Sequence, residues 1–437
     1  MRTVALYTLG CKVSQYETEA IAEGFESLAF HVVPFGEKAD VYVINTCTVT
    51  AESDRKSRQI IRRAQKTNPN AIIMVTGCYS QVSPDEVLRI SGVSYVGGTE
   101  RKMQIPKAAE KLLLQRETGE DLTPVCDSAP LSDPHFEKMT VKHAPRTRAY
   151  VKIEDGCECR CTYCAIPGAR GDVRSKLPAD VLSEVKGLMA GGTREIVLTG
   201  IEIASYGRDL DGFRLADLLT LLDEECAGVR FRLGSITPEI MTEEFVDRIA
   251  VLKSIVPHFH ISMQSGSDAV LRGMKRRYSS DMALAALARL RAKIPGVRFT
   301  TDMMTGFPGE GEKEFFETLA FTEKACFLDM HVFAYSRRKN TPAATYPDQV
   351  EEGIKHERSA RLIALARRLR DENLDEMIAS GAPLSVLFET REGDEMTGHS
   401  AEFAEVRVKT DASLHGEIRS VRPTHHKDGI LYGELLM

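Results

Sequence analysis

Short apolar runs alternate with amphipathic helical patterns along the first part of the chain. The runs lie at residues 4–9, 41–45 and 72–75, and the stretches between them are polar and helical in period. Alternation of strand and helix is typical of βαβ units, whose strands pair in parallel. Residues 1–125 are therefore predicted to form a small parallel α/β domain.

The same alternation resumes after residues 126–146, a polar and proline-bearing stretch that we interpret as a linker. Six further strands are predicted, separated by amphipathic helical patterns, at residues 150–154, 195–199, 229–235, 258–264, 298–304 and 331–335. This spacing favours six strand–helix units rather than a full eight. Residues 147–370 are thus expected to form a partial (β/α)6 barrel, and residues 356–376 a charged helix at its end.

The last section, residues 378–437, has a different pattern. Short alternating runs occur at residues 384–388, 405–409, 417–421 and 430–435, and Gly and Asp separate them. Such spacing is typical of a small antiparallel β-barrel. The whole chain is predicted to be an α/β protein of three domains.

Composition adds two expectations. The 437 residues carry 57 basic and 63 acidic side chains, so the overall charge does not indicate a nucleic-acid partner. No apolar run approaches the roughly 20 residues of a membrane-spanning helix, and the start of the chain does not resemble a signal peptide. We therefore expect a cytoplasmic protein with no membrane partner.

The basic residues are nevertheless clumped along the sequence. Each clump has two interpretations, a solvated helix face or a surface for nucleic-acid phosphates. The clumps are Arg55, Lys56, Arg58, Arg62, Arg63 and Lys66, then Arg272, Lys275, Arg276 and Arg277, and finally Arg337, Arg338 and Lys339.

Ten cysteines in a chain of this kind indicate metal or redox chemistry rather than structural disulfides. Cys157, Cys161 and Cys164 have C-x3-C-x2-C spacing in a loop just after the first predicted barrel strand. Three thiolates there can hold three irons of a [4Fe–4S] cluster and leave the fourth iron open for S-adenosylmethionine. A zinc knuckle is the alternative, with Cys159 as its fourth thiol.

Three more cysteines share a position relative to predicted strands. Cys11, Cys47 and Cys78 each follow one of the three N-terminal strands. Parallel strands of one sheet end on the same edge, where ligand sites of α/β sheets gather. A second three-thiolate cluster is therefore predicted, and the alternative is that each cysteine is simply buried. Cys126, Cys226 and Cys326 have no such context and are interpreted as structural.

Several motifs together resemble the radical S-adenosylmethionine methylthiotransferase family, and they span nearly the whole chain. The sequence departs from the family's usual residues at Ser14, Glu158 and Gly168, and it has an extra thiol, Cys159, inside the loop. None of these departures removes a cysteine ligand. The motifs are Leu9-Gly-Cys-Lys-Val-Ser-Gln-Tyr-Glu-Thr18, Asn45-Thr-Cys-Thr-Val-Thr50, Thr76-Gly-Cys-Tyr79, the loop 156–164, His260-Ile-Ser-Met-Gln-Ser-Gly-Ser-Asp268, Asp302-Met-Met-Thr-Gly-Phe-Pro-Gly-Glu310, and a C-terminal segment similar to the TRAM RNA-binding domain around Thr397-Gly-His-Ser400.

The resemblance implies a function in some detail. The Gly-Cys-Lys-Val and Asn-Thr-Cys-Thr-Val-Thr forms are similar to the branch that inserts a methylthio group at C2 of N6-threonylcarbamoyladenosine in tRNA. The implied cofactors are two [4Fe–4S] clusters and S-adenosylmethionine. The implied partners are the tRNA anticodon stem-loop and an electron donor such as flavodoxin or ferredoxin, and we expect a monomer.

Adenine C2 offers neither an acidic proton nor a leaving group, so we expect radical chemistry and no side chain acting as acid or base. We hypothesise that the loop cluster cleaves S-adenosylmethionine while the N-terminal cluster holds the sulfur. Family members contact the cofactor's methionine amino group after the second barrel strand, which here corresponds to Thr199, Gly200 and Glu202. Further cofactor contacts are predicted at later strand ends, at Ser235, Gln264 and Asp302.

Other functions fit parts of this pattern. One is methylthiolation of a different substrate, either isopentenyladenosine in tRNA or a ribosomal protein side chain. Another is a zinc-stabilised RNA-binding adaptor without catalysis. A third is a radical enzyme that has only the loop cluster and whose N-terminal cysteines are merely buried.

Overall fold

The computed structural model describes residues 2–128 and 130–436, and its N-terminal part is a parallel sheet with helices on both faces. The sheet order is β2-β1-β3-β4-β5-β6, and every pairing is parallel, which confirms the predicted α/β class. The elements are β1 (Thr3–Thr8), α1 (Lys12–Glu26), β2 (His31–Val33), β3 (Val41–Thr46), α2 (Ala51–Thr67), β4 (Ile72–Gly77), α3 (Cys78–Val82), α4 (Pro84–Leu88), β5 (Val93–Gly97), α5 (Ile105–Glu117) and β6 (Val125–Asp127).

Three neighbouring strands of this sheet end together. The register pairs Thr8 with Asn45 and Thr46 with Gly77, so β1, β3 and β4 reach the same edge within about one residue. All residues of β3 and β4 are buried, as expected for central strands covered on both faces. The segments that follow these strands are therefore held side by side by the most rigid part of the domain.

The central part is a partial barrel of six parallel strand positions. Its strands form two sheets, β7-β10-β11 and β12-β13-β14-β15, and Gly234 alone separates β11 from β12. A short antiparallel pair, β8 with β9, follows β7 and was not expected. The elements are β7 (Arg148–Lys152), β8 (Glu154–Asp155), α6 (Ile166–Arg170), β9 (Arg174–Ser175), α7 (Pro178–Ala190), β10 (Glu195–Thr199), α8 (Leu215–Glu225), β11 (Arg230–Leu233), β12 (Ser235–Ile236), α9 (Glu243–Ala250), β13 (His258–Gln264), α10 (Asp268–Gly273), α11 (Ser280–Lys293), β14 (Arg298–Thr305), α12 (Glu312–Ala325), β15 (Asp329–Ala334) and α13 (Glu352–Ser380).

The C-terminal part is a closed five-stranded barrel of order β16-β17-β18-β20-β19. One contact, β18 with β20, is parallel rather than antiparallel. A closed ring with an odd number of strands cannot alternate direction throughout, so one parallel contact is unavoidable. The strands are β16 (Leu384–Glu392), β17 (Glu395–Ser400), which the sequence pattern did not predict, β18 (Glu405–Lys409), β19 (Ile418–Lys427) and β20 (Ile430–Leu435).

This small barrel docks on the amino-terminal ends of the central strands. Glu195, at the start of β10, is fully buried and bonds both Arg230 and Arg232. The same arginines donate to carbonyl oxygens of the C-terminal barrel, for example Arg232 to Ala401 at 3.0 Å. Phe403 lies under Arg232, with the guanidinium 5.0 Å from the ring centre. The two domains are thus joined through one buried carboxylate.

Across residues 2–128 and 130–436, no helix combines the length and the apolar character needed to cross a membrane.

Replacing Glu195 by Gln is expected to weaken this docking by roughly 3–5 kcal/mol, because the arginines would remain buried without a counter-charge. Burial raises the pKa of Glu195, but Arg232 and Arg230 overcome this and lower it from 4.5 to about 2. Since the folded-state pKa lies below the ordinary value, the stabilisation is complete above about pH 4.5 and is lost as the pH falls towards 2. Denaturant titrations and limited proteolysis at several pH values measure the effect.

The matched control is Glu225→Gln, because Glu225 forms an exposed ion pair with Lys186. Solvent screens such pairs, so this variant is expected to behave like the wild type. Equal behaviour of the two variants would contradict the role assigned to Glu195.

Candidate active site

The three N-terminal cysteines lie at one edge of the parallel sheet. Cys11 precedes the first turn of α1, Cys47 follows β3, and Cys78 opens α3. A Cβ added to Gly10 would lie 3.4 Å from the Sγ of Cys47, which shows how closely the segment at Cys11 passes that thiol. Burial, followed by the neighbouring Cys78 and Cys11, raises the pKa of Cys47 to about 11, although a backbone hydrogen bond from Val49 lowers it in part. The structure therefore brings this predicted set together.

Close packing of two strand ends fixes part of this arrangement. Gly77 has φ +104°, and a Cβ there would lie 2.4 Å from the carbonyl oxygen of Thr46. Only glycine tolerates both the backbone angle and the contact. The Gly77–Cys78 pair is thus placed against the strand end that leads to Cys47.

The second cysteine set lies in the loop that follows β8. The amide of Cys157 donates to the carbonyl of Gly171 at 3.0 Å, and the amide of Cys164 donates to the carbonyl of Cys161 at 3.1 Å. Thr162 anchors the loop's centre through its amide to Met274 at 3.1 Å and its hydroxyl to Gly273 at 2.8 Å. The loop is held at both ends and in the middle.

In the described part of the chain, no three His, Cys, Asp or Glu side chains are close enough together to bind one metal ion. This holds for both cysteine sets. Ligands of an ion must reach one point at about 2.0–2.3 Å, whereas ligands of a [4Fe–4S] cluster bind different irons of a larger body. The zinc adaptor therefore gains no support from the geometry.

A buried ion-pair network separates the two cysteine sets. It consists of Glu17, Lys102, Lys152, Asp155 and Arg170, and we call it the Glu17 network. Glu17 accepts from Lys152 at 2.8 Å and from Lys102 at 3.0 Å, and Arg170 bonds both carboxylates. Although burial raises the pKa of Glu17, Arg170 and the two lysines lower it well below its usual range. Glu17 is therefore charged within the protein.

Two buried arginines, Arg170 and Arg174, follow the cysteine loop and contact this network. Arg170 is fully buried, and its Nε donates to the Sγ of Cys78 at 3.3 Å. Arg174 bonds Glu100 and the carbonyl of Arg170. Both are therefore engaged within the protein, and the contact with a cysteine was not foreseen.

Beside the loop, each of two buried carboxyl groups has one oxygen without a hydrogen-bond partner. Glu154 accepts from the amide of Glu202 at 2.8 Å through Oε2, while its Oε1 and the Oε1 of Glu202 have no hydrogen-bond partner. Burial, followed by the Cys159 thiol, raises the pKa of Glu202 to about 8. A Cβ added to Gly200 would lie 2.6 Å from Glu154 Oε2. This recess suits a small group that donates hydrogen bonds.

Glu154 was missed as a site residue. It was interpreted only as the end of the first barrel strand, yet an acidic pair, Glu154 and Asp155, directly precedes the Gly-Cys of the loop. Buried acidic residues next to a cysteine motif were the available signal, because carboxyl groups are rarely buried without a partner or a role.

The remaining predicted cofactor contacts divide into two groups. Thr199 ends β10 and is buried, Ser235 is exposed on β12, and Gln264 ends β13 with φ +71°. Asp302 was expected at a strand end, and this is wrong, because β14 continues to Thr305. Its carboxylate instead accepts from His260 at 3.2 Å and from His331 at 3.3 Å across neighbouring strands.

A cavity of about 760 Å³ lies elsewhere, between α1, the segment 134–142 and the start of α7. None of the cysteines lines it. It therefore has no part in the site built by the two cysteine sets.

Comparison with known proteins matches this architecture. Residues 151–322 match the Radical SAM superfamily, and residues 3–98 match Uncharacterized protein family UPF0004. The chain is 40% identical over 427 residues to threonylcarbamoyladenosine tRNA methylthiotransferase MtaB of Bacillus subtilis (strain 168), covering 97% of this chain and 94% of that protein. It is 33% identical to the tRNA-2-methylthio-N(6)-dimethylallyladenosine synthase of Thermoanaerobacter pseudethanolicus (strain ATCC 33223 / 39E), over 98% and 92% of the two chains.

A solved structure supports the fold. The radical S-adenosylmethionine methyltransferase TsrM of Kitasatospora setae superposes with a TM-score of 0.58 at 16% identity, covering 78% of this chain and 77% of that one. The family match over residues 151–322, together with the 40% identity to MtaB over 97% of the chain, defines the class: the protein is a radical S-adenosylmethionine enzyme. Because the similarity to MtaB extends over nearly the full length of both chains, the chain belongs to the methylthiotransferase family.

This family implies S-adenosylmethionine and two [4Fe–4S] clusters, and the residues present fit these groups. Each thiol set offers three sulfur ligands on a rigid strand end or an anchored loop. The orphaned oxygens of Glu154 and Glu202 match the donor character of an amino group. The donor chemistry of the site therefore agrees with the cofactors.

Replacing Cys11, Cys47 and Cys78 together by Ala is expected to lower the iron content from about eight to about four per chain, because one of two [4Fe–4S] clusters loses its ligands. Anaerobic reconstitution followed by iron and sulfide assays measures this. Cys126→Ala and Cys226→Ala are the controls, since neither lies in a cysteine set, and both should keep about eight irons. Unchanged iron in the triple variant would contradict the assignment.

Replacing Glu202 by Gln is expected to weaken S-adenosylmethionine binding roughly ten- to a hundredfold, since a hydrogen bond to a charged group contributes about 1.5–3 kcal/mol. Equilibrium dialysis with reconstituted, anaerobic protein gives the dissociation constant. Glu158→Gln is the control, because Glu158 is in the same loop region but exposed, with Arg208 3.9 Å away. A wild-type constant in the Glu202 variant would remove this residue from the cofactor site.

Proposed function

We propose that this protein is a tRNA methylthiotransferase that converts N6-threonylcarbamoyladenosine, beside the anticodon, to its 2-methylthio form. The observation that carries the substrate assignment is the 40% identity to MtaB of Bacillus subtilis over 97% of the chain. Relatives named for dimethylallyladenosine are less similar than that protein, at 32–34% identity. The threonylcarbamoyl substrate is therefore favoured over the alternative tRNA base and over a ribosomal protein.

Each cysteine set has a distinct part in this proposal. Cys157, Cys161 and Cys164 hold the cluster that binds S-adenosylmethionine, and Cys11, Cys47 and Cys78 hold the second cluster. When bound, these groups supply the one-electron chemistry and the sulfur that substitution of an unreactive C–H bond requires.

The chain's own side chains bind and orient the reactants. Glu202 and Glu154 accept from the cofactor's amino group, with Thr199 and Gly200 beside them. Ser235 and Gln264 lie on later strands of the same barrel, where they line the cofactor's approach. One unpartnered oxygen on each carboxyl group supports this role, because buried acceptors are normally satisfied.

Parts of the basic clumps lie near the cysteine sets and support a tRNA surface there. Within the third clump, Arg338 is buried against Asp54 at 2.7 Å, which joins that segment to the start of α2. Arg276 of the second clump turns inward to the Sγ of Cys161 at 3.5 Å. The remaining basic residues are exposed or half-exposed, and they are proposed to contact the phosphates of the anticodon stem: Arg55, Lys56, Arg58, Arg62, Arg63, Lys66, Arg272, Lys275, Arg277, Arg337 and Lys339.

Three further elements complete the proposal. The electron comes from a small redox protein such as flavodoxin or ferredoxin. The enzyme works as a monomer, and its tRNA substrate places it in the cytoplasm. The domains act as the units 1–125, 147–370 and 378–437, joined by the linker 126–146, although β6 (Val125–Asp127) pairs with the N-terminal sheet at the start of that linker.

Nucleoside mass spectrometry of tRNA tests the function. Cells lacking the protein are expected to contain threonylcarbamoyladenosine without its 2-methylthio form, and the wild-type gene should restore it. The variant lacking Cys11, Cys47 and Cys78 should not restore it, yet the purified variant should still form 5′-deoxyadenosine, because the loop cysteines remain.

Cys126→Ala serves as the control and should restore the modification fully. An unchanged methylthio content in cells lacking the protein would exclude this substrate. Loss of 5′-deoxyadenosine in the N-terminal variant, with its loop cluster correctly assembled, would contradict the division of roles between the two cysteine sets.

A further inference from the structure

Arg170 bonds both a cysteine of the N-terminal set and the buried carboxylates of the Glu17 network. Its Nε donates to the Sγ of Cys78 at 3.3 Å, its Nη2 donates to Glu17 at 3.2 Å, and its Nη1 donates to Asp155 at 3.1 Å. The guanidinium is fully buried, so none of these bonds competes with water. One planar group therefore connects a proposed cluster ligand to two buried carboxylates.

The position of Arg170 in the chain links the two cysteine sets. It is the last residue of α6, six residues after Cys164 of the loop, while Cys78 belongs to the N-terminal sheet edge. The helix is short, and its Gly171 accepts from the amide of Cys157 at 3.0 Å. The segment that carries Arg170 is thus tied to the loop that carries the other three cysteines.

Positive side chains outnumber carboxylates in the ion pairs closest to Arg170. Lys102, Lys152 and Arg170 pair with Glu17 and Asp155, Arg174 approaches Asp155 at 3.8 Å, and the half-buried Glu137 also acts electrostatically on the two lysines. The Nε–H of Arg170 is not used by any of these carboxylates and points instead at the sulfur of Cys78. A cluster-bound thiolate at Cys78 would therefore meet a charged donor there.

We propose that Arg170 is a positioning residue that hydrogen-bonds the cluster-bound thiolate of Cys78 and raises the reduction potential of the N-terminal cluster. This inference rests on the proposed function, in that it requires a cluster on the N-terminal cysteines.

The direction of the effect follows from electrostatics. Reduction adds a negative charge to the cluster, and hydrogen bonds to the sulfurs and nearby positive charge favour the more negative state. Arg170 supplies both within one buried group. Removing it therefore lowers the potential, while a lysine restores part of the charge but not the planar fork.

The test uses the full chain with Cys157, Cys161 and Cys164 replaced by Ala, so that only the N-terminal cluster contributes to the signal. Iron is counted first, and about four per chain is expected. The midpoint potential is then measured by redox titration followed by electron paramagnetic resonance, in this background and with R170Q, R170K or R174Q added. R174Q is the matched control, because Arg174 is also buried and ion-paired, and within residues 2–128 and 130–436 it contacts no cysteine.

R170Q is expected to lower the ratio of reduced to oxidised cluster at a fixed potential about tenfold, a shift of about 59 mV for one electron. R170K should give a smaller shift in the same direction, and R174Q should match the background protein. An unchanged potential in R170Q with about four irons would overturn the inference. If R170Q fails to assemble a cluster, R170K decides: a lowered potential supports the inference, and an unchanged one overturns it. Absence of iron from the background protein would instead overturn the proposed function, and the inference with it.

Discussion

The arrangement of the site depends on one buried carboxylate, Glu17 of α1. Arg170, Lys102 and Lys152 surround it, and they come from three separate parts of the chain. An ion left unpaired in such a place costs several kcal/mol, so each member requires the others to be present. Apolar packing brings the N-terminal sheet and the barrel together, but it is non-directional. The ion pairs supply direction, and they set how the edge of one sheet faces the cysteine loop of the other domain.

The two cysteine sets both lie in segments that follow strands. In the N-terminal domain the thiols closely follow parallel strands, where the ends of neighbouring strands meet. In the barrel, the short antiparallel pair β8–β9 lies between the parallel strand β7 and the cysteine loop. Cys47 and Cys78 follow fully buried strands, which gives the N-terminal set a rigid base. The loop around Cys161 has no such base, and hydrogen bonds from Thr162 to the segment at Gly273 hold it instead. Two different scaffolds therefore achieve a comparable degree of order.

The C-terminal barrel occupies the other end of the central barrel. It packs against the amino-terminal ends of the strands through Glu195 and the arginines at Arg230 and Arg232, while the cysteine loop follows the first strand. It also carries more acidic than basic residues. The proposed contact with RNA therefore relies on the basic residues beside the cysteines rather than on the charge of the small barrel.

The sequence by itself determined three strands of the N-terminal sheet, the six strand positions of the barrel, the two sets of proposed ligand cysteines and the likeness to methylthiotransferases, because apolar periodicity and motif spacing are local properties. The strands β2, β5, β6, β8 and β9 were not predicted. Tertiary structure decided the rest. Arg170 and Glu17 are 153 residues apart in the chain, and only the docking of two domains brings them together. The same holds for Asp302, which was expected at a strand end but is held by His260 and His331 inside the barrel. Partners of buried charges are chosen by the fold, since a charge can be satisfied by any group that packing places beside it.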